Sequence, residues 1–246
     1  MLAKRIIPTI LVSGLNAVKG KQYDARRSIG SAIAIAQVHA LRGVDEMIIL
    51  DVDATRQKRG PDLELVKRLS ESCFMPITVG GGVSTLEHIE ALLRAGADKV
   101  AICTAAHDDP YLSSAAAIRF GSQAIVGVVE YIGQRVTSRC GKYEHHMTPV
   151  DWAHNLEVLG AGEILLTSVH HDGMLCGYDL LTLTKVAKQS SVPVIVSGGC
   201  GNYQHMVQAF DAGASGCAAG AMFAFEDTTP RAAAAYAHGM GVETRL

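Results

Sequence analysis

Short apolar runs rich in β-branched residues alternate along this chain with stretches of helical period. Residues 6–12, 47–52, 77–79, 99–103, 124–129, 164–168, 194–196 and 216–219 read as strands. Between them, residues 31–42, 61–70, 85–95 and 203–212 carry apolar side chains at i, i+3, i+4 spacing, the pattern of a helix laid on a sheet. Thr85 and Asn202 stand where N-caps belong, and Gly43, Gly96, Gly160 and Gly213 where C′ glycines belong. Asp151 and Trp152 read as the cap and packing residue of the helix before the sixth strand, and the alanine-rich stretch 231–238 as the closing helix. The longest irregular segment, 131–149, is a candidate mobile loop after the fifth strand.

The pattern repeats once. TVGGG at Thr78 to Gly82 returns as VSGG at Val196 to Gly199, and its neighbours return with it at a constant spacing of 117 residues, as from Pro76 to Pro193. Gly60, His88 and Ala95-Gly96-Ala97 reappear as Gly177, His205 and Ala212-Gly213-Ala214. Eight βα units built as two like halves, about 1–121 and 122–246, fit one closed (β/α)₈ TIM barrel spanning 1–246. An open doubly wound sheet is the alternative, and it gives no reason for a half-chain repeat.

Composition narrows the function. With 246 residues, net charge −2 and 48% hydrophobic residues, the chain has one large core and no basic face for nucleic acid. No apolar run approaches the ~20 residues of a membrane span, and the amino terminus lacks a cleavage site. Six scattered cysteines without a CxxC pair suit reduced thiols in the cytoplasm. His145-His146 and His170-His171 are adjacent pairs that point to opposite faces of an extended chain, so they read as solvated loop histidines, and no metal or cofactor is expected. Gly199-Cys200-Gly201 lacks the G-x-C-x-G spacing of a glutaminase-type nucleophile elbow, and its cysteine lies in a glycine turn.

In a barrel, function sits at the C-terminal ends of the strands. The turns at Gly80, Gly81, Gly82 and at Gly198, Gly199 lie on opposite sides of that mouth, where glycine lets backbone amides approach a phosphate. Two such turns suggest a long ligand with a phosphate at each end. From MLAKRIIP through AVKG, LLRAGADKV, FGSQA, GAGEILLTS, DGxxxGYD and VSGG, the chain resembles the synthase (cyclase) subunit of imidazole glycerol phosphate synthase over nearly its whole length. The resemblance implies a glutaminase partner on the N-terminal face. It also implies passage of ammonia through the barrel, and its reaction at the mouth with a bis-phosphate ribulosyl aminoimidazole carboxamide precursor.

Departures from the family are concentrated at the mouth. Where the family carries catalytic aspartates on strands 1 and 5, this chain has Leu11 and Glu130. Leucine cannot transfer a proton, and losing a principal acid or base typically costs about 10²–10⁴-fold. Cys103, His170-His171 and Ala221 replace Asn, Asp-Arg and a phosphate-binding Ser, whereas Lys19, Asp51, Thr104 and Asp172 match. The opposite end is intact. Arg5, Glu46, Lys99 and Glu163 match the family's ammonia gate, and Asp98 matches a glutaminase contact. Strand parity places Arg5 with Leu11 and Lys99 with Cys103 inside the barrel. The leading expectation is a cyclase-like subunit feeding ammonia to a surface-sugar amidotransferase that forms an acetamidino group. The alternatives are a true cyclase in which Glu130 with Asp51 or Asp172 covers the missing aspartate, a scaffold that only activates the glutaminase, and a standalone phospho-sugar binder.

Overall fold

A computed structural model describes residues 3–245, the side chain of Ala25 excepted; Met1, Leu2 and Leu246, the ends of the expected 1–246 span, lie outside them. The chain begins with β1 (Arg5–Ser13), β2 (Asn16–Lys21), β3 (Asp24–Ser31), α1 (Ala32–Leu41), β4 (Met47–Asp51), α2 (Leu63–Ser72), β5 (Ile77–Gly80) and α3 (Leu86–Arg94). There follow β6 (Lys99–Ile102), α4 (Thr104–Asp108), α5 (Pro110–Phe120), β7 (Ile125–Ile132), β8 (Arg135–Ser138), β9 (Tyr143–Glu144) and α6 (Pro149–Val158). The last part holds β10 (Glu163–Ser168), α7 (Leu180–Gln189), β11 (Val194–Ser197), α8 (Tyr203–Asp211), β12 (Gly216–Ala219), α9 (Ala221–Phe225) and α10 (Pro230–Gly239).

A parallel ladder runs β1–β4–β5–β6–β7–β10–β11–β12 and returns to β1 through Arg5↔Gly216 to Pro8↔Ala219. That last ladder closes eight strands into a barrel and rules out the open sheet. Alternation along the strands then divides the apolar residues into two cores. Ile6, Ile10, Met47, Ile49, Val100 and Ile102 face the helices, while Ile7, Ile48, Ala101, Val126, Leu165 and Ile195 fill the lumen.

The half-chain repeat is visible in local conformation. Thr85 and Asn202 accept the amides of His88 and His205, and the same two imidazoles accept the amides of Ser84 and Gly201, again 117 residues apart. Asp62 and Asp179 cap α2 and α7 in the same way, so α2 starts later than the expected residue 61. The C′ glycines at 43, 96, 160 and 213 all have positive φ, as a left-handed helix stop requires.

Several expectations fail here. Segment 131–149 is not an irregular loop. Tyr131 is 1% exposed within β7, which turns at Gly133-Gln134 into β8, with Glu130↔Thr137 and Ile132↔Arg135 paired. A glycine at the first of two loop positions with φ +58° suits such a tight hairpin, and this signal was passed over. A second hairpin, β2–β3, was not expected at all; it extends β1 with Leu11 opposite Val18. The cap of α6 is Thr148, which accepts the amide of Asp151 and donates to its carboxylate; Asp151 is the third helical residue.

Candidate functional site

At the floor, Arg5 donates to Glu46 at 2.7 Å and to Glu163, and Lys99 donates to Glu46 at 3.0 Å and to Glu163 at 2.8 Å. The four expected gate residues thus form one ring in which charges alternate. Both carboxylates are nearly sealed from water (3% and 7% of their side chains exposed), while both cations reach it at 21%. Thr78 donates to Glu46 at 2.9 Å from the same level. Buried carboxylates are tolerable only with partners of this quality. Asp98 sits beside the ring, exposed, and accepts the amide of Ile77 at 2.8 Å. Above the ring the lumen is apolar, narrowed by Ile7, Ile48, Val126 and Leu165 and eased by Ala101 and Ala218.

At the mouth, the glycine turns each line a cavity. Gly81 has φ +105° and a side chain there would meet the Asp51 carbonyl at 2.3 Å; Gly199 has φ +106° and would meet the Gly177 carbonyl at 2.0 Å. The amides of Gly81, Gly82, Gly198 and Gly199 make no backbone hydrogen bond among the described residues, which leaves them for a ligand. The first cavity adds Thr104 and Arg26, the second Lys19. Lys19 is 7% exposed and donates to the Thr9 carbonyl at 2.9 Å, in the space a side chain at Gly220 would fill. Burial pulls its ammonium down to about 8, against the pull of Asp172.

The two cavities share Leu11, Gly20, Tyr23, Leu50 and Asp172, so these residues lie between the two glycine turns. Leu11 is therefore at the mouth, and nothing acidic occupies its strand position. Glu130 lines the first cavity; burial lifts its carboxyl to about 7, opposed by the hydrogen bond from Tyr23 and by the nearby Cys103 thiol. Burial likewise raises Asp172, opposed by Lys19 and the Tyr23 amide. Asp51 is engaged at both carboxylate oxygens. One oxygen accepts the amides of Asp53 and Ala54 at 3.0 Å each, and the other pairs with Arg59 at 2.7 Å.

The histidine biosynthesis protein family model matches residues 5–229. The chain belongs to the histidine biosynthesis protein family. It is 40% identical, over the whole of both chains, to the imidazole glycerol phosphate synthase subunit HisF of Natranaerobius thermophilus. It is equally similar to that of Chloroherpeton thalassium.

Within this family member the remaining candidates separate cleanly. His170 is exposed and offers its carbonyl to Gln22. His171 pairs with Ser168 at 2.7 Å. His145 is no solvated loop residue, since its ring stacks on His107 at 3.9 Å, and His107 stacks on Trp152 at 4.0 Å. Among the described residues no cluster of three metal-ligating side chains occurs, no helix is long and apolar enough to cross a membrane, and all six cysteines are free thiols. Tyr23 and Arg26 were missed, because nothing in a polar stretch such as KGKQYDARRS announces that its tip lies over the mouth.

Proposed function

We propose that this chain is the ammonia-consuming synthase subunit of a glutamine amidotransferase pair, working on a bis-phosphorylated substrate in a reducing compartment. The observation that carries the reading is the vertical stack of a closed charge ring, an apolar lumen and a mouth with two glycine turns. A separate glutaminase docked at the floor, against Asp98, would release ammonia beneath the ring formed by Arg5, Glu46, Lys99 and Glu163. Neutral ammonia tolerates an apolar passage that excludes ions. The ligand's phosphates would take the turns at Gly80–Gly82 with Thr104 and at Gly198–Gly199 with Lys19. Its reacting centre would then lie against Glu130 and Asp172. A carboxyl near neutrality accepts and returns protons at working pH, which imidazole closure requires.

The names of the full-length relatives favour the cyclase step of imidazole glycerol phosphate synthase as the reaction. One observation favours a second reading, in which ammonia goes to a separate sugar amidotransferase for acetamidino formation: Leu11 puts a hydrocarbon wall where strand 1 would carry an acid. Turnover of the bis-phosphate ribulosyl precursor with ammonium salt decides between them. Wild-type turnover at cyclase-like rates supports imidazole closure. The amidination reading expects only a trace, with Leu11→Asp raising it by about 10²-fold or more; normal wild-type turnover ends that reading.

A further inference from the structure

The mouth contains a pairing that the proposed reaction does not by itself require. Gln22 and Tyr23 form the two-residue loop between β2 and β3, with Lys21 paired to Asp24, and both hold positive φ (52° and 65°) without being glycine or asparagine. Such a turn matches the twist of a hairpin but is poorly populated by these residues on their own. Something outside the hairpin must hold it. The Gln22 amide donates to the Asp172 carbonyl at 2.8 Å, the Gln22 side chain to the His170 carbonyl at 2.9 Å, and the Tyr23 hydroxyl to Glu130 Oε1 at 3.1 Å. The other oxygen of that carboxyl, Oε2, is buried and has no partner.

We infer that Tyr23 is a positioning residue for Glu130: seating of the hairpin tip on Asp172 delivers a hydroxyl that occupies Oε1 and leaves Oε2 to handle the ligand's proton. This rests on Glu130 being the acid–base group of the proposed reaction. With the Tyr23 hydroxyl in place, a donor stabilises the carboxylate; without that hydroxyl, the still-buried carboxyl holds its proton more tightly. Tyr23, like Leu11, lines both mouth cavities, but it comes from a different element. Every group around Glu130 bears on the balance. Tyr23 approaches from the hairpin, Cys103 from the end of β6, Cys140 from beyond β8 and Asp172 from beyond β10, with Lys19 facing Asp172. Of these, the Tyr23 hydrogen bond and the Cys103 thiol favour the charged form, whereas burial and Asp172 oppose it.

Tyr23→Phe in the full chain removes only the hydroxyl. Infrared titration of the carboxyl, assigned by its loss in Glu130→Gln, should move upward by about one pH unit without any substrate present. With substrate, the acidic limb of kcat should move by the same amount. The rate should fall about tenfold below about pH 7 and be unchanged above about pH 9, while KM stays within about twofold. Tyr23→Ala, which also unseats the tip, should raise KM as well. An unmoved Glu130 titration in Tyr23→Phe overturns the inference. If the precursor is not turned over even by wild type, the proposed reaction fails, and the substrate-free titration still decides the pairing.

Discussion

At the scale of single residues, the mouth is built from groups whose ionisation is set by burial. Glu130 shows the cost. Its carboxyl is lifted from 4.5 to about 7, so the folded chain holds that proton more tightly than the unfolded chain does. Stability from the neutral carboxyl is therefore fully present below about pH 4.5 and is lost as pH rises through about 7. Glutamine cannot ionise. Glu130→Gln is expected to raise the thermal midpoint by about 3 °C or more at about pH 8 and to leave it unchanged near pH 4, as read by a melting curve at each pH. Activity should move the opposite way, which separates a functional carboxyl from one that only packs. Residue identity also explains what could be read without coordinates. Arg5, Glu46, Lys99 and Glu163 were legible through their match to the family's pattern, with strand parity adding that Arg5 and Lys99 point inward. The engagement of Asp51 with Arg59 was not legible, since an aspartate at a strand end looks the same whether it caps a turn or awaits a substrate.

At the scale of elements, the glycine turns follow from steric necessity. A side chain at Gly199 would need φ near +106° and would lie 2.0 Å from the Gly177 carbonyl, whereas one at Gly133 (φ +58°) would meet nothing within 4 Å. Gly199→Ala should thus lower stability by about 1–3 kcal/mol from backbone strain alone, with a further loss from the clash, and should abolish ligand binding at that turn. Gly133→Ala should cost about 1 kcal/mol; urea denaturation of the pair would expose an equal loss if the close approach were unimportant. The elements also show which signals a sequence conveys. Strands of the barrel and the caps of its helices announce themselves through β-branched runs and through Thr85, Asn202, Asp62 and Asp179. The hairpin β7–β8 carried a Gly-Gln turn that could have been recognised. The hairpin β2–β3 turns on Gln22-Tyr23, two residues with no turn preference, held by tertiary contacts to Glu130, Asp172 and His170 that no local pattern contains.

At the scale of the whole molecule, the floor ring and the mouth are separated by a lumen packed with hydrocarbon side chains. Val126, 0% exposed and below both mouth cavities, narrows it. Val126→Phe should obstruct the passage at a stability cost of about 1–3 kcal/mol from overpacking. Glutamine-supported turnover with the glutaminase is expected to fall by on the order of tenfold, while turnover supported by added ammonium salt, which reaches the mouth from solution, changes less than about twofold. Equal losses in the two assays would place the ammonia route elsewhere. The closed ladder and the repeat were legible from periodicity, and the floor ring from the family resemblance; the roof of the mouth was not, because it is folded from a segment without such a signal.

That roof has a consequence for how such a molecule changes. Lys19, Tyr23 and Arg26 ride on a ribbon that takes no part in closing the eight-strand ladder. Its residues can be exchanged without disturbing the cylinder beneath. A lineage could rewrite the groups that face the mouth by editing one appendage, while the cylinder and its charged floor are inherited untouched.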